Sequence, residues 1–153
     1  MKKILSTLIL VLFISSAQSA TPLVEASWLK QNLDQKNIKV IEISSQFVGG
    51  SYDNFKKGHI PGSVYLDHIG DKLISTQKGV IGQLPIKKEL ENLFSNLGVK
   101  NTDHVVISYL GVNSLDFGSA ARLYWSLKTA GHDNVSILNG GLKAWKQEGY
   151  QLA

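Results

Sequence analysis

From Trp28 onward the apolar positions follow two alternating rhythms, short β-branched runs and longer stretches with a single apolar face. Ser27 ahead of Trp28-Leu29-Lys30-Gln31-Asn32-Leu33 has the form of an N-cap followed by apolar residues at helical spacing. Lys39 to Ile43 predicts a strand, with Ser44 to Gly50 as its exit loop. Ser51 to Lys57 predicts a short helix that stops at Gly58, and Ser63 to Leu66 a short strand after the Pro61-Gly62 turn. Leu84-Pro85 opens the clearest helix, in which Leu90, Leu93, Phe94 and Leu97 keep one apolar face until Gly98.

The second half repeats the pattern. His104 to Tyr109 predicts a strand buried on both faces, and Leu110 to Phe117 a long loop. Gly118 to Thr129 predicts a helix that packs through Ala120, Ala121, Tyr124, Trp125 and Leu127 and closes at Gly131. Asn134 to Leu138 reads as a last strand, and Gly141 to Gln147 as a last helix. Strands and helices alternate with no hairpin signal such as Asn-Gly between two apolar runs. That order predicts an α/β fold, an open parallel sheet of about five strands with helices on both faces. Ligands of such sheets gather at the carboxyl ends of the strands, which directs attention to the loop after Tyr109.

The amino-terminal segment breaks the rhythm. Met1-Lys2-Lys3, an apolar run from Ile4 to Ile14, and small or polar residues up to Ala20 have the three-part layout of a secretory signal peptide. The run is shorter than the roughly 20 residues a spanning helix needs. Ala17 and Ser19 place cleavage after Ser19, with Ala20 the neighbouring alternative. Residues 1–19 are thus expected to be a leader, residues 20–153 one domain, and the product exported to a periplasmic or extracellular space with no stable membrane span. Loss of Lys2 and Lys3 lowers the formal charge from +4 to +2. The remaining lysines are scattered, with no stripe interleaved with aromatics, which argues against a nucleic-acid surface. The 153 residues contain no cysteine, so no disulfide forms and stability rests on the core.

Several side chains invite a chemical reading. Asp116, just ahead of Phe117-Gly118-Ser119, has the position of a helix N-cap as well as that of a carboxylate in the loop. Asn139-Gly140-Gly141 resembles a phosphate-cradling turn only loosely, and tight packing explains it better. His59, His68, His104 and His132 lack the close spacing of a metal site, so neither metal nor cofactor is expected. Ser108, Ser119, His132 and Asp133 make a triad on paper only, because no Gly-x-Ser-x-Gly elbow presents a nucleophile.

Phe55-Lys56-Lys57-Gly58-His59-Ile60-Pro61-Gly62 resembles the rhodanese signature, in which an aromatic residue precedes a His-aliphatic-Pro-Gly-Ala turn, with Ser63 here in place of alanine. Asn134 to Trp145 is similar to the closing strand, Gly140-Gly141 turn and tryptophan-bearing helix of the same family, and Asp116 to Trp125 to its preceding helix. The opening, Leu23 to Leu29 leading into Val40 to Ser44, resembles the first half of tandem two-domain sulfurtransferases. In such proteins the second half carries the persulfide cysteine. The resemblance puts Tyr109 at the cysteine position of active rhodanese domains, with Ser108 the alternative if the register slips by one. Neither replaces a thiolate, since tyrosine ionises near pH 10.

The resemblance implies a chain without catalytic residues of its own, related to thiosulfate and 3-mercaptopyruvate sulfurtransferases. Its expected partner is a second, cysteine-bearing rhodanese domain. Chain and domain stop together at Gly149 to Ala153, where a tandem protein would enter its linker. The alternative is a stand-alone pseudo-enzyme that holds a small sulfur oxyanion or a partner protein at Tyr109, Leu110, Gly111, Val112, Asn113, Ser114, Asp116 and Gly118. Glu42, His59, Pro61, Gly62, Arg122, Gly140, Gly141 and Trp145 form the structural motif. The family commonly has aspartate at Glu42 and arginine at Ser44, so Glu42 is expected to pair with Arg122 or His59.

Overall fold

A computed structural model describes residues 20–153; the expected leader and its cleavage point after Ser19 lie outside the described residues. Five strands form one sheet in the order β1-β7-β6-β2-β3: β1 Leu23–Val24, β2 Ile38–Ser44, β3 Val64–Asp67, β6 His104–Ser108 and β7 Val135–Leu138. Every pairing in it is parallel, as the strand-helix alternation predicts. The sheet is covered on both faces.

Because side chains alternate along a strand, β2 and β6 each feed two cores. Ile41, Ile43, Val105 and Ile107 pack with Leu90, Leu123 and Leu127 of helices α3 (Lys87–Asn96) and α4 (Ser114–Thr129). Val40 and Val106 pack with Leu29, Leu142 and Trp145 of helices α1 (Ala26–Asn32) and α5 (Gly141–Gln147). Helix α2 (Tyr52–Lys57) begins as the sequence predicts, Ser51 Oγ accepting the Asn54 amide, and stops at Gly58.

The structure departs from the sequence reading at six places. Helix α1 starts at Ala26 with Glu25 as N-cap, so Ser27 lies inside the first turn. Pro85 precedes Ile86, the N-cap of α3, and therefore sits just outside the helix. Tyr109 falls beyond the end of β6. A hairpin of β4 (Ser75–Gln77) and β5 (Val80–Gln83) was not anticipated; Lys78 and Gly79 both have positive φ, 50° and 79°, the geometry of a primed two-residue turn. Lysine seldom adopts that conformation, so Lys78-Gly79 carries a weaker signal than Asn-Gly. Trp125 is exposed rather than packed, with the Arg122 guanidinium 5.0 Å from its ring centre. Finally, the long loop to Phe117 is short: α4 begins at Ser114, and its N-cap is Asn113, not Asp116.

Candidate functional site

The carboxyl ends of β2, β3 and β6 open into a cleft of about 660 Å³. Helix α2 forms one wall, α5 the other, and the loop between β6 and α4 closes the back. Glu42 and Tyr65 lie inside, while Lys57, Lys143 and Lys146 stand along the rim. The cleft falls where an open parallel sheet places its ligands.

Glu42 is buried near the end of β2, and its Oε1 accepts two hydrogen bonds, from the Ile60 amide at 2.8 Å and the Ser63 hydroxyl at 2.7 Å. The expected pairing with Arg122 does not occur. Alternation puts Glu42 on the α1 and α5 face of the sheet, whereas Arg122 reaches Gly82 O at 3.0 Å in the hairpin on the other side. Nor does His59 bond the carboxylate: its Nδ1 meets Phe55 O at 3.0 Å and its ring stacks on Phe55. Two departures from the rhodanese pattern therefore meet each other, glutamate for aspartate and serine for alanine. Pro61 and Gly62, with φ of 76° at Gly62, make the tight turn that carries both donors to Glu42.

Burial raises the Glu42 pKa above its ordinary 4.5, outweighing the lowering by Ser63, Ile60 and the nearby His59 and Lys146. A folded-state pKa above the unfolded value means that the native state binds the proton more tightly. The resulting stabilisation is complete below pH 4.5 and is lost as the pH rises through the folded value. The gap in urea midpoint between the wild type and Glu42→Gln is accordingly expected to move against the wild type across that window. A gap that does not change with pH would remove burial as the dominant influence.

The loop after β6 has a different occupant from the one the sequence suggests. The Asp116 carboxylate, fully buried, accepts the amides of Gly111 at 2.7 Å, Val112 at 3.1 Å and Leu110 at 3.3 Å. In return the Asp116 amide donates to Asn113 Oδ1 at 3.0 Å. The amides of Leu110, Gly111 and Val112, three residues of the candidate anion loop, thus already face an internal carboxylate. Ser114 and Gly118 belong to α4 and are exposed. Tyr109 stacks edge-on against Phe117, and burial, then the Asp116 charge, push its phenol above the ordinary value of 10.0. A phenol in that state is no nucleophile near neutrality.

Gly140 and Gly141 lock this loop to α5. Both have positive φ, and a Cβ on Gly141 would fall on the Tyr109 carbonyl. The Leu142 amide donates to Tyr109 O at 2.7 Å and the Lys143 amide to Leu110 O at 3.1 Å, so these donors too are committed. Packing, not phosphate binding, explains the Gly-Gly pair. Trp145 is fully buried; its Nε1 donates to Gln151 O at 3.0 Å, and residue 153 then pairs with His59 through two backbone bonds.

The paper triad is dispersed. Ser119 Oγ lies 2.8 Å from His68 Nδ1, Asp133 pairs with Lys128, and the buried Ser108 hydroxyl has no partner among the described residues. Among those residues no three His, Asp or Glu side chains gather to hold a metal ion.

A parallel α/β sheet with its cleft framed by a strand-to-helix loop and a Gly-Gly turn has the architecture of the rhodanese fold. The chain belongs to the rhodanese-like domain family, which matches residues 25–148. It is 31% identical over 135 residues to thiosulfate/3-mercaptopyruvate sulfurtransferase 2 of Arabidopsis thaliana, covering 86% of this chain and 37% of that protein. To the 3-mercaptopyruvate sulfurtransferase of Escherichia coli K12 it is 31% identical over 134 residues, covering 85% and 46%. The crystal structure of SseA from Escherichia coli, a 3-mercaptopyruvate sulfotransferase with the rhodanese fold, superposes with a TM-score of 0.71 at 28% identity, over 88% of this chain and 50% of that one. The chain spans less than half the length of these curated relatives.

Proposed function

We propose that the chain is an exported, catalytically silent rhodanese-like unit that works beside a cysteine-bearing rhodanese domain, as the first half of a tandem sulfurtransferase does. One observation carries the reading. The Asp116 carboxylate takes the amides of Leu110, Gly111 and Val112 beside Tyr109, the residue that the family resemblance sets at the position of the persulfide cysteine. The kinship to thiosulfate and 3-mercaptopyruvate sulfurtransferases, of which the chain covers less than half, is what supports a partner domain.

The purified chain is expected to form no thiocyanate from thiosulfate and cyanide above the uncatalysed rate. Tyr109→Cys is expected to remain inactive as well, because the Asp116 carboxylate occupies the amides that would stabilise a thiolate and raises the pKa of any thiol beside it. Turnover by the wild type, or by Tyr109→Cys alone, would overturn the silent-site reading. Amino-terminal sequencing of the exported product, expected to begin at Ala20, tests the localisation.

A further inference from the structure

The cleft is much larger than a sulfur oxyanion requires, and its two ends differ in charge. At its floor the Glu42 carboxyl receives both of its hydrogen bonds on Oε1; Oε2 receives none from the described residues and is not among the sealed polar atoms. It therefore opens on the cleft that Glu42 lines. At the rim Lys57, Lys143 and Lys146 are exposed, and none forms a salt bridge with a described residue. Between floor and rim the walls include Tyr65, Tyr109 and Leu142.

We propose that this cleft binds a small organic acid with a flat apolar ring, which presents an N–H donor to Glu42 Oε2 and its acidic group to Lys143 and Lys146. A purely apolar ligand would strip water from Glu42 without replacing its hydrogen bonds, which disfavours binding. A simple anion driven to the floor would meet the carboxylate. An acid at the rim and a donor at depth satisfy both ends, and a volume of about 660 Å³ accommodates a ring between them. The burial that holds the Glu42 pKa high is consistent with a carboxyl short of donors. The assignment rests on the silent-site reading in one respect: with the loop amides committed to Asp116, the acidic group must be held by lysines.

The test is an amide-resolved NMR titration of the full ¹⁵N-labelled chain with indole-3-acetate and with 1-methylindole-3-acetate, which keeps ring and acid but lacks the N–H. Indole-3-acetate is expected to give saturable shifts at Glu42, Tyr109 and Leu142, and the methylated probe to bind roughly tenfold more weakly, the worth of one hydrogen bond to a charged group. Lys143→Ala with Lys146→Ala is expected to weaken indole-3-acetate by about fivefold. Glu42→Gln should abolish the preference for the N–H probe, its folding being checked by the same spectrum. No saturable shift in the wild type, or equal binding of the two probes to it, overturns the proposal. Either result leaves the thiocyanate assay untouched, so the ligand and the silence of the site fail separately.

Discussion

Asp116→Ala is expected to lower the unfolding free energy by about 3 kcal/mol, because it strands three loop amides that share one acceptor group. The carboxylate is fully buried in the first turn of α4, where the positive end of the helix also favours it. Asp116→Asn keeps a single carbonyl oxygen and is expected to lose about half as much. Urea unfolding of the two variants against the wild type measures both. A loss below about 1 kcal/mol for the alanine variant would mean that the amides simply turn to water. The carboxylate would then be an occupant of the loop rather than its organiser.

Trp145→Ala is expected to be costlier still, about 4 kcal/mol, as a fully buried indole leaves a cavity beneath α1, β2 and β6. The same change frees the Gln151 carbonyl and the ring of Tyr150, whose centre lies 5.0 Å from that of the indole. Trp145→Phe separates the two effects: it fills most of the space yet lacks the N–H, so about 1 kcal/mol is expected from the lost hydrogen bond, with packing loss added. Thermal and denaturant unfolding should rank the chains wild type, Trp145→Phe, Trp145→Ala. An alanine variant as stable as the phenylalanine variant would show that the core closes over the gap.

The sheet was legible because its central strands are β-branched runs buried on both faces, and α2 because Ser51 and Gly58 bracket it. The rhodanese turn was legible from Pro61-Gly62, and the Gly140-Gly141 turn, read as a site of tight packing, leaves no room for a Cβ on Gly141 beside the Tyr109 carbonyl. The partner of Glu42 was not found, although strand alternation alone separates it from Arg122: Ile41 and Ile43 face α4, so Glu42 cannot. Asp116 was misjudged for a subtler reason. A cap is local in sequence, but a carboxylate that collects amides from residues 110 to 112 depends on the path of the loop, and Gly111 sets that path with a φ of 83° where a Cβ would strike Gly140. Asn113, which N-caps as well as aspartate does, sat three residues earlier and ended the loop sooner than the hydrophobic pattern implied.

The joint between the β6–α4 loop and the Gly-Gly turn also has a consequence in time. Amides of Leu110, Gly111 and Val112 end on Asp116, while those of Leu142 and Lys143 end on carbonyls of the same loop. The five bonds tie one loop both to the Asp116 carboxylate and to the start of α5. In native-state hydrogen exchange these five sites, far apart in sequence, should open with one shared free energy and behave as a single cooperative patch.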